Sequence, residues 1–170
     1  GYLVTSKETM NVASYSLDIA TKYGIKKIIT LSDPNVVKFF RENILELLNK
    51  KFDIIFCNKQ EALNISMSNN IDDAIDFLRG YAYEIIITSG EDGAYVTIGN
   101  EKAHELPDKV KPVDLTGAGD MFLAAYIFAK ISNKMLTDRI KFANTCSGSV
   151  IQKYGAKLDN QDYGKLLDKL

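Results

Sequence analysis

The sequence is poor in the residues that build disulfide frameworks and metal centres, and it carries little net charge. Its 170 residues include two cysteines and one histidine. Cys57 and Cys146 lie far apart in apolar surroundings, so we predict reduced, buried core residues rather than a disulfide or metal ligands. His104 lies in a polar segment and is predicted to be a surface residue. A net charge of −1 gives no electrostatic reason to expect nucleic acid or a membrane surface as a partner.

The sequence also lacks an apolar run long enough to span a bilayer, and no signal peptide is recognisable. We therefore expect a cytoplasmic protein without a membrane partner. Hydrophobic residues make up 46% of the chain and charged residues 25%, a balance typical of soluble globular domains. A chain of this length can bury one core, and a single domain is the default expectation.

Apolar runs and helical periodicity alternate along the chain. Strands are predicted at residues 1–4, 25–31, 52–57, 84–88, 94–98 and 102–106. Helices are predicted at residues 6–24, 36–49 and 71–79, from Asn58, from Gly117, at 136–152 and from Asp162. This alternation predicts an α/β fold, a mainly parallel sheet with helices on both faces. Ligands of such sheets bind at the carboxyl ends of the strands, and the candidate motifs follow strands directly.

A polar turn at residues 113–120 runs straight into an unbroken apolar run. Gly117 and Gly119 flank Ala118 and let the backbone bend so that successive N–H groups point the same way. A buried helix is predicted to begin near Gly117, and its first N–H groups have no intrahelical partner. These groups and the helix dipole suit a phosphate or a developing oxyanion, with Asp120 beside it. The alternative is an ordinary helix start, which an acid stabilises by roughly 0.3–1 kcal/mol without any chemistry.

Two familiar phosphate-binding patterns do not fit this stretch. It is not a P-loop because no Gly-Lys-Ser/Thr follows, and Phe122 stands where a dinucleotide fingerprint has its third glycine. The pattern Asp-x-Thr-Gly-Ala-Gly-Asp at 114–120 resembles the second signature of the ribokinase-like (PfkB) carbohydrate kinases, a family that includes adenosine kinases. Leu115 departs from that signature, which usually has Thr or Pro there, but its side chain is not expected to do chemistry.

The resemblance implies a reaction and roles for the turn. Asp120 corresponds to the catalytic base, and the helix dipole should keep it ionised. The backbone of Gly117, Ala118 and Gly119 corresponds to an anion hole for the transferred phosphoryl group. The implied activity is ATP-dependent phosphorylation of a hydroxymethyl group of a sugar or nucleoside, with ATP and Mg²⁺ as cofactors.

Asn58 and Glu61 directly follow the strand predicted at 52–57. A carboxylate one helical turn after an amide can hold the water shell of Mg²⁺ near phosphates. Alternatively, Asn58 caps the helix and Glu61 completes a capping box, and the residues alone favour that interpretation. In the kinase family an Asn-x-x-Glu motif at this place lies near the nucleotide phosphates and Mg²⁺. The resemblance therefore favours ATP binding for Asn58 and water-mediated Mg²⁺ binding for Glu61.

Two further segments match motifs of the ATP site. The segment 88–93 is by itself only a glycine-containing turn, but it resembles the family's Thr-x-Gly-x-x-Gly segment through Thr88, Gly90 and Gly93. Asn144, on a mostly apolar helix, would by itself be a surface or core-satisfied residue. An Ala-Asn-Ala-like segment lies there beside the adenine in the family, and its Ala-Asn pair matches.

Asp114 and Thr116, with the loop at 153–156, resemble the monovalent-cation site of some family members. The resemblance thus adds K⁺ to the expected ligands. Asp33 follows a predicted strand and is interpreted as a turn residue without an assigned function.

The motifs occur in family order, but they cover only the C-terminal half of a ribokinase-like kinase. The Gly-Gly motif and acidic residue that hold the acceptor sugar, and the small β-sheet lid, have no counterpart here. We therefore expect one α/β domain at residues 1–170, the ATP-binding half, most similar to the adenosine-kinase branch. The implied partners are ATP and a small sugar or nucleoside, with a homodimer or pairing with the missing half. The open alternative to a kinase is a truncated or split-gene nucleotide-binding module without activity of its own.

Overall fold

The structure, a computed structural model, describes residues 1–170, which form five strands and eight α-helices. The strands are β1 (Ile28–Thr30), β2 (Phe52–Asn58), β3 (Ala82–Thr88), β4 (Ala94–Ile98) and β5 (Glu101–Glu105). The helices are α1 (Lys7–Lys22), α2 (Pro34–Phe39), α3 (Arg41–Leu48), α4 (Lys59–Ser66), α5 (Ile71–Leu78), α6 (Ala118–Ile131), α7 (Leu136–Val150) and α8 (Asn160–Leu167). Short 3₁₀ turns cover Tyr2–Val4 and Gly90–Asp92.

The five strands form one mixed sheet in the order β1-β2-β3-β4-β5. Strands β1 and β2 are parallel, with Ile28 opposite Ile54. Strand β4 runs antiparallel to β3. The hydrogen bond from the amide of Gly99 to the carbonyl of Tyr83, 3.1 Å long, shows this pairing at the far end of the hairpin. Most strands are nevertheless parallel, and the predicted α/β class is confirmed.

The chain divides into two compact units. The first comprises Gly1–Ile87 and Thr97–Lys102, and the second comprises Thr88–Val96 and Ala103–Leu170. In the first unit, β2 and β3 each bury four consecutive residues, so both faces of these strands are covered. In the second unit, α6 packs along α7. The single-domain organisation predicted for residues 1–170 stays a prediction.

Two predictions of local structure are wrong. The strand predicted at residues 1–4 is a 3₁₀ turn. The helix predicted at 36–49 is two helices, α2 and α3, which meet at Phe40 with a non-helical φ of −119°. Tertiary hydrogen bonds explain the break, because α2 and α3 are each hydrogen-bonded to α4 separately. Arg41 Nε donates to the carbonyl of Ile65 over 2.9 Å, and Asn64 Nδ2 donates to the carbonyl of Pro34 over 3.1 Å.

The predicted burial of both cysteines and the predicted exposure of the histidine are confirmed. Cys57 and Cys146 are buried free thiols, and burial raises the pKa of Cys146 to about 11. His104 is exposed. None of the helices has the length and apolarity that a membrane span would need.

Candidate active site

The glycine-containing turn before α6 has the geometry that its sequence predicts. Gly117 is the N-cap of α6 and adopts a left-handed φ of 83°. A Cβ at this position would lie 2.8 Å from the Cβ of Ala156 and 2.9 Å from its Cα. Glycine is therefore required twice, for the backbone conformation and for the close approach of the loop that contains Ala156.

The first turn of α6 combines free N–H groups with a carboxylate. The amide of Ala118 donates to the carbonyl of Leu115 over 3.2 Å, whereas the amides of Gly119 and Asp120 have no acceptor within the chain. Asp120 is the acidic residue of this turn, and its side chain is exposed. Unpaired amides at a helix N-terminus favour an anionic group beside them.

Asp114 fastens the turn to the loop that follows α7. One carboxylate oxygen accepts from the amide and the hydroxyl of Thr116, at 2.9 and 2.7 Å. The other accepts from the amide of Gly155 at 2.9 Å. The hydroxyl of Thr116, then the amides of Gly155 and Thr116, hold the pKa of Asp114 below its usual value. Asp114 and Thr116, the two residues predicted to bind a monovalent cation, thus form hydrogen bonds that hold the turn in place. Their role in cation binding stays a prediction.

Asn58 and Glu61 form a capping box at the start of α4. Asn58 Oδ1 accepts from the amide of Glu61 over 2.9 Å, and Glu61 Oε2 accepts from the amide of Asn58 over 3.0 Å. Glu61 Oε1 also accepts from Asn58 Nδ2 over 2.7 Å. Glu61 is buried, and this burial raises its pKa against the lowering effect of the Asn58 amide. The carboxylate of Asp33, the cap of α2, raises the pKa further.

The donor set fits Mg²⁺ held through water rather than directly. Each Glu61 oxygen accepts one hydrogen bond and keeps a second lone pair. No group of three or more His, Cys, Asp or Glu side chains is arranged to hold a metal ion. An ion at Glu61 would therefore bring its own water and phosphate ligands, as Mg²⁺ commonly does.

The segment after β3 is a tight 3₁₀ turn in which the two predicted glycines differ. Gly90 has a φ of 56°, and a Cβ there would meet nothing within 4 Å. Gly93 has a φ of 83° and a ψ of −150°, and a Cβ there would lie 2.2 Å from the carbonyl oxygen of Glu105. Thr88 is the last residue of β3. The turn therefore needs glycine at position 93 because β5 passes directly against it.

Asn144 is buried in α7, and its side chain is hydrogen-bonded to the carbonyl of Glu105, the group that lies against Gly93. Its Nδ2 donates to the oxygen of Glu105 over 3.0 Å. Gly93 and Asn144, which are far apart in the sequence, thus meet at Glu105. The structure supports the interpretation of Asn144 as a satisfied core residue, and its place beside an adenine stays a prediction.

Contacts of two polar residues near these motifs were not predicted from the sequence. Ser147 Oγ donates to the carbonyl of Ala118 over 3.0 Å and so ties α7 to the first turn of α6. The His104 ring stacks on Tyr95 with centroids 4.0 Å apart, and its Nε2 lies 2.6 Å from the carbonyl oxygen of Asp92. Neither contact has a local sequence pattern, because each joins residues on different elements.

The residues predicted to form the site fall in both compact units. The second unit contains the turn at 114–120, the segment 88–93 and Asn144, whereas the first contains Asn58 and Glu61. A family model described as pfkB family carbohydrate kinase matches residues 4–162. The chain belongs to the pfkB family. Its predicted resemblance to ribokinase-like kinases is therefore confirmed.

Individual pfkB relatives agree with this assignment. The chain is 31% identical to a ribokinase of Staphylococcus aureus over 149 residues, which are 84% of this chain and 47% of that protein. The crystal structure of an adenosine kinase from Sinorhizobium meliloti superposes with a TM-score of 0.88 at 29% identity, covering 98% of this chain and 52% of that one.

A proposed ribokinase II from E. coli, solved with ATP and Mg²⁺, shares the fold with a TM-score of 0.84 at 21% identity, over 98% of this chain and 56% of that one. The chain thus spans about half the length of the relatives it matches.

Proposed function

We propose that this chain carries the nucleotide-binding and phosphoryl-transfer residues of an ATP-dependent sugar or nucleoside kinase. The observation that carries the proposal is the first turn of α6, where two amides without acceptors stand beside the exposed carboxylate of Asp120. Membership of the pfkB family supports the reaction class. The phosphate acceptor is proposed to be a hydroxymethyl group, since a ribokinase and an adenosine kinase are among the similar proteins.

In this mechanism the turn acts on both reacting groups. Asp120 accepts the proton of the acceptor hydroxyl while the hydroxyl oxygen attacks the γ-phosphorus of ATP and ADP leaves. The amides of Gly119 and Asp120 donate to the phosphoryl oxygens, whose charge they stabilise during transfer. The left-handed Gly117 holds these amides in place without a side chain to obstruct the phosphate.

The remaining predicted residues are proposed to bind the nucleotide and its cations. Thr88, Gly90 and Gly93 line the ATP site, as do Asn58 and Asn144. Mg²⁺, when bound, neutralises charge on the phosphate oxygens, and Glu61 holds its water. Asp114 and Thr116 are proposed, on the family resemblance alone, to belong to a K⁺ site.

A matched pair of aspartates tests the catalytic role. Asp120 and Asp138 are both exposed acids in the first turn of a helix, so each loses a similar helix-dipole interaction on substitution by alanine. We expect Asp120→Ala to abolish phosphate transfer from ATP to sugars and nucleosides while calorimetry still detects ATP binding. Asp138→Ala should keep both. Transfer by Asp120→Ala at the wild-type rate would refute the assignment.

The same assay distinguishes the kinase from a second candidate function, a nucleotide-binding module without transfer activity of its own. That candidate is favoured by the length of the match, because the chain covers only 47% of the ribokinase and 52% of the adenosine kinase. Binding of ATP and Mg²⁺ that Gly119→Val removes, without transfer to any acceptor, would support the binding module. Transfer by the chain alone would support the kinase.

A further inference from the structure

A cleft lies in the first unit, at the opposite end of β2 from Asn58 and Glu61. It has a volume of about 350 Å³ and opens beside the first residues of β2 and β3. Its lining includes Lys51, Arg79 and Asn100. The seven residues of β2 separate the two ends, which corresponds to about 20 Å at the usual rise of a strand. We refer to it as the amino-end cleft.

The polar side chains that line the amino-end cleft are hydrogen-bond donors with unused capacity. Arg79 Nη1 donates to the carbonyl of Gly99 over 2.9 Å, but Arg79 Nε is buried without a hydrogen-bond partner. Asp76 Oδ1 lies 3.6 Å from this nitrogen, which is close enough for an ion pair but too far for a hydrogen bond. The side-chain amide of Asn100 has no partner in the chain. Guanidinium and amide groups in this state suit an acceptor-rich ligand.

Lys51 adds a second cation in an unusual backbone conformation. Its φ is 54°, the left-handed region that favours glycine. Its Nζ donates to the carbonyl of Gly80 over 2.7 Å and lies 5.2 Å from the ring centre of Tyr81, which leaves further N–H groups available. Glycine at this position would avoid the strain of the left-handed backbone, whereas the lysine places a positive charge at the cleft.

No carboxylate is among the residues that line the cleft, and the ion pair of Arg79 with Asp76 leaves Lys51 without a carboxylate partner. The lining does contain aromatic surface, since the exposed ring of Tyr83 stands beside Gly99. We propose that the amino-end cleft binds a small phosphate ester. Its phosphate group is held by Lys51, Arg79 and Asn100, and its organic part lies against the tyrosine rings. The dianionic phosphate matches two cations, and Arg and Lys together commonly bind such groups. This proposal does not depend on the kinase function.

The experiment follows backbone amide shifts by NMR while phenyl phosphate is added, with phenol as the uncharged comparison. We expect phenyl phosphate, but not phenol, to cause saturable shifts at residues 79–83 and 99–100. Signals of Gly119 and Asp120 report separately on an anion at the proposed active site. No saturable shift of the cleft amides up to about 10 mM phenyl phosphate, or equal shifts with phenol, would overturn the proposal.

Two variants remove the proposed contacts without threatening the fold. Lys51→Gly suits the backbone conformation, and Asn100→Asp places an isosteric carboxylate in an exposed turn. Each should weaken phenyl phosphate binding at the cleft about tenfold or more, the loss expected for one charge-assisted contact. Asn133, also at a positive φ of 57° and exposed, supplies matched controls as Asn133→Gly and Asn133→Asp, which should bind normally. Wild-type affinity in Lys51→Gly or Asn100→Asp would refute the site.

Discussion

Gly90 and Gly93 lie three residues apart in one turn, yet the structure predicts very different consequences of adding a methyl group. Both residues have positive φ. At Gly90 a Cβ would meet nothing within 4 Å, so alanine would meet only backbone strain. At Gly93 a Cβ would lie 2.2 Å from the carbonyl oxygen of Glu105, a main-chain atom that cannot rotate away. The pair therefore separates conformational strain from a tertiary clash.

The magnitudes follow from these two situations. Gly90→Ala should destabilise by roughly 1–2 kcal/mol, the usual penalty of a left-handed alanine. Gly93 has a ψ of −150° at its φ of 83°, a region essentially limited to glycine, where strain is about 1–3 kcal/mol. Displacing β5 should add about 1–3 kcal/mol, as overpacking does elsewhere. Gly93→Ala should therefore lose about 2–6 kcal/mol, which is a large part of a typical stability of about 5–15 kcal/mol.

Urea unfolding followed by circular dichroism measures the difference. With a slope of about 2 kcal/mol per molar urea, a loss of 4 kcal/mol lowers the midpoint by about 2 M, and Gly90→Ala should lower it by less than about 1 M. The slope should be unchanged in both variants. Equal midpoints for Gly90→Ala and Gly93→Ala would refute the reasoning, because the contact with Glu105 would then have no energetic weight.

Three further predictions concern hydrogen-bonded polar groups. Burial raises the pKa of Glu61, so the folded state binds its proton more tightly. Wild-type stability should therefore fall relative to Glu61→Gln as pH rises above the ordinary value of 4.5, and parallel stability curves would contradict this. Asp114→Ala should accelerate hydrogen exchange at the amide of Gly155, because this amide donates a hydrogen bond to the Asp114 carboxylate. Unchanged protection would show that other contacts hold the loop. Asn144→Leu should lower the free energy of unfolding by about 1–3 kcal/mol, since the partly buried carbonyl of Glu105 loses a donor, and a thermal melt identical to wild type would contradict this.

Local patterns predicted most elements because they depend on neighbours in sequence. The helix predicted at 6–24 is α1, and Ser6 caps it by accepting a hydrogen bond from the amide of Thr9. Asn58 and Glu61 form the capping box that the residues alone favoured. The water-mediated role in Mg²⁺ binding that the resemblance implies stays a prediction. The break at Phe40 was missed because its cause lies in α4, whose backbone accepts from Arg41. The apolar pattern at residues 36–49 does not indicate that contact.

Local backbone chemistry is enough to specify the turn before α6. Two glycines around an alanine, an aspartate and an apolar run suffice to predict free amides beside a carboxylate, since each feature depends on local backbone chemistry. Tertiary structure alone decided that Gly93 and Asn144 meet at Glu105 and that Ala156 excludes a side chain at Gly117. It also decided that Lys51 and Arg79 flank one cleft. The physical reason is that these contacts join residues distant in sequence, and their distances follow from packing rather than from any local pattern.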